Sequence, residues 1–538
     1  MRSFSSGTIV KMLAAASLAA ITICSAAGFT CSAAPFKDKA NNRAQRAMRD
    51  GDFAAAEKIY RELLTKNAHD NGARLGLSLA LLKQHNIQDA YDHAARVIIA
   101  DPLSARAHAL LGAAILAAGG FRESVEEFRT ALSLDPDESV AVGGLAMIDF
   151  YENRSDLAIR GLQRASSLDP DEPDYVFNLG QAAARRERYK EAADAYERFL
   201  NIAPKTDADR RARIRGLIDF LRYLGQQNAL YVLDGANRAA ITFEAPDGRP
   251  VLLVRINGEK TPLRFVLDTG SGMSVISETT AKRLGLKPVA RGGLARAVGG
   301  PGRFEIVYGF LDSVEIGEVE IKNVPVYIRH FYDNKNPVDG YIGVSVISKF
   351  VTSIDYGDKS FTLTREKVTT TPDLWKTTTS TGLVTVNGIE IPLRTTSSGF
   401  LSGEVRLESN DKFWNFIIDT GASVSVVSEK LAAEDQISGY EQAELMRVYG
   451  AAGITENVKT LILPRVMLGE LSQERINAAV LDLDPVNETA GFRQSGILGA
   501  NFLKNFRVTF DFQRGIIRLE PVSSPRGGKP DQGDDYQR

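Results

Sequence analysis

Two stretches of thirteen residues in this chain are nearly identical. Residues 265–277 read FVLDTGSGMSVIS, and residues 416–428 read FIIDTGASVSVVS. The aspartates within them, Asp268 and Asp419, lie 151 positions apart. That separation is too long for a local repeat and suits two copies of a small domain. The chain is therefore expected to contain a duplicated domain, with one aspartate contributed by each copy.

The similarity continues downstream of each aspartate. Gly299 follows Asp268 by 31 residues, and Gly450 follows Asp419 by the same number. Farther on, GYIGVSVISKFVTSIDY matches SGILGANFLKNFRVTFDF in the order of its apolar residues, glycine and closing aspartate. Around these motifs, short alternating apolar runs are separated by Gly, Asn and Asp, which indicates β-strands and turns. Both copies are therefore expected to be all-β lobes.

The first part of the chain has a period of 34 residues. Asp-Pro pairs recur with this period at residues 101, 135 and 169, and small residues recur at Ala56, Ala90, Ser124, Ala158 and Ala192. The pattern resembles tetratricopeptide repeats, each a pair of antiparallel helices. The small residue lets neighbouring helices approach, and the proline ends one repeat before the next begins. About five repeats are expected, followed by a polar-faced helix near residues 207–226 that would cap the stack.

These patterns divide the chain into six segments. They are a signal peptide at 1–34, a tetratricopeptide repeat domain at 38–226, a first β lobe at 239–366, a linker at 367–382, a second β lobe at 383–521 and a disordered tail at 522–538. The leader has basic residues before an uncharged run rich in Ala and Ser, as secretory signal peptides do. An uncleaved membrane anchor is the alternative, because the run is long enough to cross a bilayer. The expected fold class is multidomain α + β, an all-α solenoid followed by two all-β lobes.

The composition narrows the possible functions. The net charge is −2, with acids and bases mixed along the chain, so nucleic acid is not an expected partner. Both cysteines, Cys24 and Cys31, fall within the leader. A chain without the leader would have no thiol to act as nucleophile or zinc ligand and no disulfide. The five histidines show no metal-binding spacing. Neither a metal nor a cofactor is expected.

The β lobes resemble the aspartic peptidases, and among them the retropepsin-like domains of bacterial proteins. The resemblance depends on the Asp-Thr-Gly motif with apolar flanks and trailing serines, which occurs twice, and on the element downstream of each copy. It implies an aspartic-type endopeptidase in which Asp268 and Asp419 are catalytic. Two carboxyl groups in contact cannot both ionise, as is established for the aspartic proteases themselves. The pair can therefore act as base and acid on one water.

The resemblance also implies roles for neighbouring residues. Thr269 and Thr420 correspond to paired threonines whose hydroxyls hydrogen-bond across the lobe boundary, and the glycine after each threonine lets the backbone approach a carboxylate. The residues expected to support the site are Thr269, Gly270, Ser271, Thr420, Gly421 and Ala422, and those expected in two mobile flaps are Gly299, Gly300, Gly302, Gly450 and Gly453. Because Ser271 and Ala422 differ, the two aspartates are expected to have unequal hydrogen-bond environments. Which aspartate is the base stays open.

The expected substrate is a peptide or protein, and the repeat domain could hold a protein partner. The leader predicts an extracytoplasmic location, periplasmic or secreted, with membrane contact only if the leader stays uncleaved. A monomer in which the lobes pair within one chain is favoured over a homodimer in which each lobe pairs with its copy. The alternative function is an adaptor that binds extended peptides without cutting them.

Overall fold

The computed structural model describes residues 35–206, 208–300, 302–333, 335–365, 383–385, 388–407 and 412–522. The predicted signal peptide, the predicted linker at 367–382 and the tail after residue 522 lie outside these ranges. Within the ranges, helices occupy the first part of the chain and strands dominate the rest, which confirms the predicted fold class. No helix of these residues has both the length and the apolar character needed to cross a bilayer.

The N-terminal part is built from eleven helices in the described residues. They are α1 (Pro35–Arg49), α2 (Phe53–Lys66), α3 (Asn71–Lys83), α4 (Ile87–Ala100), α5 (Ala105–Ala118), α6 (Phe121–Leu134), α7 (Ser139–Tyr151), α8 (Ser155–Leu168), α9 (Pro173–Arg185), α10 (Tyr189–Ile202) and α11 (Ala208–Leu224). Each helix packs against its neighbours in the chain. Because short loops join them, successive helices run antiparallel. The result is five helix pairs followed by α11, the solenoid that the 34-residue period predicts.

The recurring residues explain this packing. The small residues are all 0% exposed, as the period predicts: Ala56, Ala90, Ser124, Ala158 and Ala192. At the end of α4, the Asp101 Oδ1 accepts a hydrogen bond from the backbone N–H of Leu103 at 3.3 Å. At the end of α6, the Asp135 Oδ1 accepts one from Asp137 at 3.0 Å. The aspartates of these two Asp-Pro pairs thus close the turn with their side chains, and the proline prevents the helix from continuing.

The last helix differs from the prediction. We expected α11 to be a polar-faced cap, but it buries Ile214 and Ile218 against the repeats and Phe220 against the first β lobe. The Phe220 ring stacks on the ring of Tyr308 in that lobe, with 4.3 Å between centroids. The helix and its place at the end of the stack are confirmed, but the side expected to be polar includes apolar residues that pack against the first lobe. Leu217 packs against both cores, so one broad apolar face of α11 contacts the repeats and the lobe.

The first β lobe follows α11. Its elements are β1 (Val232–Gly235), β2 (Arg238–Thr242), β3 (Val251–Ile256), β4 (Leu263–Leu267), β5 (Ser274–Ser277), α12 (Glu278–Arg283), β6 (Ala290–Ala295), β7 (Phe304–Ile316), β8 (Val319–Arg329), β9 (Gly340–Ile342), α13 (Val344–Ile347), β10 (Val351–Asp355) and β11 (Ser360–Thr364). Eight strands form one sheet in the order β1-β8-β5-β9-β4-β3-β7-β6. Strand β1 begins before residue 239, the predicted start of the lobe.

The second β lobe has the same plan. Its elements are β12 (Leu383–Thr385), β13 (Gly388–Pro392), β14 (Arg394–Thr395), β15 (Leu401–Leu407), β16 (Phe413–Ile418), β17 (Ser425–Ser428), α14 (Glu429–Ala432), α15 (Asp435–Ser438), β18 (Glu441–Gly450), β19 (Gly453–Leu468), β20 (Leu471–Leu481), α16 (Asp484–Ala490), β21 (Gly496–Leu498), α17 (Ala500–Leu503), β22 (Phe506–Asp511) and β23 (Ile516–Pro521). Its large sheet has the order β14-β15-β16-β21-β17-β20-β19-β18.

The two large sheets repeat one pairing scheme. In the first lobe β4 pairs in parallel with β9, and β5 with β8. In the second lobe β16 pairs in parallel with β21, and β17 with β20. The register matches as well, because Ser277 lies opposite Arg329 in one lobe and Ser428 lies opposite Leu481 in the other. The duplicated sequence is therefore a duplicated fold.

A third sheet joins the lobes. Its order is β12-β13-β23-β22-β10-β11-β2, with strands from both halves of the duplication. At its centre β10 and β22 run antiparallel, and Val351 lies opposite Asp511. One apolar core continues across the boundary and contains the fully buried Phe361 of the first lobe and Phe510 of the second. The shared sheet and core fix the two lobes against each other.

Candidate active site

The two predicted aspartates follow equivalent buried strands. Asp268 comes directly after β4, and Asp419 comes directly after β16. The backbone N–H of Asp268 donates to the carbonyl of Ile342 at 2.9 Å, beyond the parallel pairing with β9. The N–H of Asp419 donates in the same way to Leu498 at 2.9 Å. Each carboxyl group is therefore held at the end of a central strand, where the sheet fixes its position.

The threonines after the aspartates connect the two lobes. The Thr269 hydroxyl donates to the carbonyl of Ile418 at 2.7 Å and accepts the backbone N–H of Thr420 at 3.0 Å. The Thr420 hydroxyl donates to the carbonyl of Leu267 at 2.6 Å and accepts the N–H of Thr269 at 3.1 Å. Both side chains are fully buried. Four reciprocal hydrogen bonds thus hold one aspartate loop against the other.

The glycines after the threonines leave room for the opposite carboxyl group. A Cβ atom on Gly270 would lie 2.4 Å from the Cγ of Asp419. A Cβ atom on Gly421 would lie 2.6 Å from the Oδ1 of Asp268. Any side chain at either position would collide with a carboxyl group. The structure therefore brings the two predicted aspartates together, each against the glycine of the other loop.

Burial and proximity set the protonation of this pair. Burial raises the pKa of Asp268 well above its usual range, and the negative charge of Asp419 raises it further. Burial also raises the pKa of Asp419. The two carboxyl groups share a hydrogen bond that raises the pKa of Asp268 and lowers that of Asp419. Burial and mutual repulsion therefore favour a state in which the pair carries one proton over a state in which both carboxyl groups are ionised.

The backbone around the pair is unequal. The Asp419 Oδ1 accepts N–H groups from Gly421 at 2.7 Å and Ala422 at 3.1 Å. The Asp268 Oδ1 accepts the N–H of Gly270 at 2.9 Å. Two amide dipoles stabilise a carboxylate better than one, so they favour the ionised form of Asp419. These hydrogen bonds therefore bias the pair toward a proton on Asp268.

Ser271 and Ala422 connect the aspartate loops to the downstream element. The Ser271 carbonyl accepts the N–H of Val344 at 2.8 Å, and the Ala422 carbonyl accepts that of Ala500 at 2.7 Å. The Ser271 hydroxyl donates to the carbonyl of Met273 at 2.8 Å. Val344 and Ala500 are the first residues of α13 and α17, so each of these short helices is hydrogen-bonded to an aspartate loop. This explains why the same apolar-Gly element follows each aspartate in the sequence.

The predicted flap glycines lie at the tips of two long hairpins, β6–β7 and β18–β19. The tips touch, since the N–H of Ala451 donates to the carbonyl of Val298 at 3.2 Å. A Cβ atom on Gly450 would lie 2.3 Å from the Cα of Gly299. The same two tips contain Gly300, Gly302 and Gly453. The five predicted glycines therefore meet at one crossing between the lobes, where a side chain would prevent the tips from closing.

Two arginines near the pair were missed by the sequence analysis. Arg249 is buried, and its positive charge lowers the pKa of both Asp268 and Asp419. Arg329, the last residue of β8, donates to the carbonyl of Ala451 in the opposite flap tip. Neither arginine belongs to a repeated motif. Comparing the two lobes strand by strand would have found Arg329, because Leu481 occupies its place in the second lobe.

The repeat domain contacts both lobes. The Phe492 ring of the second lobe inserts between the rings of Phe121 and Tyr151, with 4.9 Å to each centroid. On the other side, the Arg213 side chain of α11 donates to the carbonyl of Leu294 in β6 at 3.0 Å. Strand β6 is one arm of the first flap hairpin. The solenoid therefore packs against the second lobe and against the β6 arm of the first flap.

Among the described residues, no group of three or more His, Cys, Asp or Glu side chains is placed to hold a metal ion.

A family model described as aspartyl protease matches residues 252–346 and 404–502, one match for each lobe. Two tetratricopeptide repeat models match residues 47–114 and 144–207. A search of curated proteins gave no match.

Several solved structures are similar to part of this chain. A thermophilic repeat protein of Thermus thermophilus is 20% identical, with a TM-score of 0.30, over 34% of this chain and 98% of its own. MamA of Desulfovibrio magneticus is 20% identical, with a TM-score of 0.23, over 32% and 99%. PilF of Pseudomonas aeruginosa is 14% identical, with a TM-score of 0.27, over 35% and 84%. The family matches show that the chain joins N-terminal tetratricopeptide repeats to two retropepsin-like lobes of the aspartyl protease family.

Proposed function

We propose that this protein is an aspartic endopeptidase that hydrolyses peptide bonds with one water activated between Asp268 and Asp419. One observation carries the proposal: two Asp-Thr-Gly loops from duplicated lobes meet, and each carboxyl group faces the glycine of the other loop. A pair of buried carboxyl groups with one proton supplies a base and an acid at one point. The shared sheet supports a site completed within one chain.

The unequal hydrogen bonds suggest which carboxyl group does what. Asp419 is the base and takes a proton from the water as the water oxygen attacks the scissile carbonyl carbon. Asp268 donates its proton to the carbonyl oxygen, which gives a neutral gem-diol. The carbon–nitrogen bond then breaks as Asp419 gives its proton to the leaving nitrogen. One gem-diol hydroxyl returns a proton to Asp268, and the pair regains its starting state.

The flaps provide the binding surface for an extended substrate. Their tips cover the cleft between the lobes, so a peptide must displace the contact between Val298 and Ala451 to enter. Once the tips separate, the backbone groups that held them together are free to pair with a substrate backbone, as an added strand would. Closure over the peptide would then exclude bulk water from the carboxyl pair.

The solenoid is proposed to bind a protein partner or to present substrate, because stacked helix pairs form extended binding surfaces.

Export to the periplasm or the exterior is proposed because residues 1–34 have basic residues followed by an uncharged apolar run, as a signal peptide does. A tagged full-length chain found in the cytosolic fraction, with its leader intact, would overturn the export proposal.

The catalytic proposal is tested with a diverse peptide mixture incubated from pH 3 to pH 8. New peptide termini, detected by mass spectrometry and suppressed by a statin-type transition-state mimic, are the expected result. Peptides retained by the protein without any new terminus would instead establish the adaptor alternative. Termini that persist undiminished with the mimic would indicate another peptidase in the preparation.

A further inference from the structure

Arg329 is partly exposed and contacts both flaps. Its guanidinium group packs 3.8 Å above the ring centroid of Phe304, at the start of the β7 arm of the first flap. It also donates to the carbonyl of Ala451, at the tip of the second flap. Within the described parts of the chain, its contacts are this carbonyl and this ring, and no Asp or Glu carboxylate forms an ion pair with it. A neutral carbonyl and an aromatic face therefore balance this cation only in part.

Arg249 differs from Arg329 in its ion pairs. Arg249 is buried, whereas Arg329 is partly exposed, and Arg249 forms ion pairs with Asp247 and, at 3.2 Å, with Asp333. Carboxylates of the protein therefore neutralise the charge of Arg249. Burial lowers the pKa of Arg329, and Tyr327, Tyr341, Tyr332 and Asp268, in decreasing order, oppose that effect, so Arg329 lies within electrostatic range of Asp268. Among the arginines near the site, Arg329 is thus the one that can accept an anion from a ligand.

The second lobe places an apolar residue at the equivalent position. Leu481 pairs with Ser428 in the register that Arg329 has with Ser277. Leu481 is buried in an apolar cluster that includes Val458 and reaches Ala422, beside the catalytic loop. It also borders a cavity of about 760 Å³ under the first flap tip. The two sides of the cleft therefore differ in charge, although their backbones match.

An extended substrate crossing the carboxyl pair would meet these two positions on opposite sides of the scissile bond. Opening the flaps withdraws the Ala451 carbonyl from Arg329, which leaves the guanidinium free to bind a carboxylate with two parallel hydrogen bonds. We propose that Arg329 selects an acidic substrate side chain next to the scissile bond, while the Leu481 side of the cleft receives an apolar one. This inference rests on the proposed peptidase function and names its substrate class.

The test compares matched peptides that differ only by Glu or Gln beside the cleaved bond. The assay is run at pH 6, above the ordinary glutamate pKa of about 4.3. We expect the wild type to cut the Glu peptide with a kcat/KM about 10- to 100-fold higher than the Gln peptide, the range of a charge-assisted hydrogen bond. The variant Arg329→Gln should cut both peptides at similar rates, and Arg329→Lys should restore part of the preference.

Arg406 offers a matched control. It also lies over an aromatic ring, Phe413, at 5.8 Å, and among the described residues no carboxylate pairs with it. Arg406→Gln should keep the full preference for Glu. A further pair of peptides, with a free or an amidated C-terminus, distinguishes a side-chain carboxylate from a terminal one. Selection for the free terminus alone would overturn the assignment to a side chain.

Two results would overturn the proposal and leave the peptidase function intact. One is equal cleavage of the Glu and Gln peptides by the wild type. The other is an Arg329→Gln variant that loses activity on both peptides by the same factor, because Arg329 would then serve only to hold the flap tips. If no peptide in a broad library is cut at any pH, the peptidase function itself fails.

Discussion

At the scale of single residues, the protonation of one carboxyl pair decides the chemistry. Asp268 and Asp419 both have raised pKa values because they are buried, and the charge of Asp419 adds to the shift at Asp268. In the proposed mechanism the pair acts only when it holds one proton. A raised upper pKa means that this state survives at pH values where an isolated aspartate, with a pKa of about 3.9, is fully ionised.

We therefore expect kcat/KM to persist above pH 5 and to fall as the pH rises through the raised pKa of the pair. The pH profile of peptide cleavage, measured between pH 2 and pH 10 on a substrate without ionisable side chains, checks this. An activity that instead rose steadily to pH 10 would contradict a shared proton.

The Thr420 hydroxyl forms two of the hydrogen bonds between the aspartate loops. Thr420→Val removes a hydroxyl that donates to Leu267 and accepts from Thr269, and leaves two buried partners unsatisfied. Each such partner costs about 1–3 kcal/mol, so we expect the lobes to unfold at a clearly lower denaturant concentration. Thr420→Ser keeps the hydroxyl and is the control. Equal stability of the Val and Ser variants would show that these hydrogen bonds contribute little.

The aspartates, threonines and glycines could be predicted because each belongs to a motif that occurs twice in the sequence. No motif indicated Arg249, and a comparison of the two lobes would have marked Arg329 as different from Leu481 without showing its contacts. The roles of both arginines depend on partners distant in sequence. Arg249 meets Asp333 across 84 residues, and Arg329 meets Ala451 across 122 residues. Their positions follow from the pairing of whole strands, which no local pattern in the sequence describes.

At the scale of elements, the tips of the hairpins β6–β7 and β18–β19 are in contact at glycines, among them Gly299 and Gly450. Gly450→Ala would place a Cβ atom 2.3 Å from the Cα of Gly299, a backbone atom that cannot give way locally. We expect kcat/KM to fall about 10- to 100-fold, because a displaced flap misplaces the substrate. Gly439→Ala is the matched control, since no atom lies within 4 Å of a Cβ there. Unchanged kinetics for Gly450→Ala would mean that hydrolysis does not need closed flaps.

The helices and strands were predicted from two sequence patterns, and some of their contacts were not. The 34-residue period predicted the helix pairs, because each repeat buries the same small residue. It did not predict the contact between α11 and the first lobe, since Phe220 packs on Tyr308 outside the repeats. The alternating strands predicted two β lobes, but β2 and β11 belong to a sheet shared between them. Such a sheet depends on pairings between distant strands.

At the scale of the whole molecule, the solenoid braces both lobes. Phe492 of the second lobe is buried against Phe121 and Tyr151 of the repeats. Phe492→Ala should weaken that contact by about 3–5 kcal/mol, the usual cost of truncating a buried phenylalanine. Hydrogen exchange should then speed up in α16 and at the ends of α5 and α7. Phe413→Ala is the control, because Phe413 is 40% exposed. Unchanged exchange in Phe492→Ala would show that the solenoid and lobe do not depend on this contact.

The arrangement of the solenoid against the lobes could not be read from the sequence. Its contact residues, such as Phe492 and Arg213, lie outside the repeated motifs, and each is a single residue without a periodic partner. Sequence patterns identified the parts of this protein because each part repeats. They did not predict how the solenoid packs against the lobes, because each contact between these parts occurs only once in the chain.

The central claim is that one chain completes one active site from Asp268 and Asp419. Its most direct test is the rate of peptide cleavage per chain for Asp268→Asn, for Asp419→Asn and for an equimolar mixture of the two. The account predicts no activity from either variant or from the mixture, and a wild-type rate per chain that is independent of protein concentration. Activity in one variant, or activity regained on mixing, would contradict it.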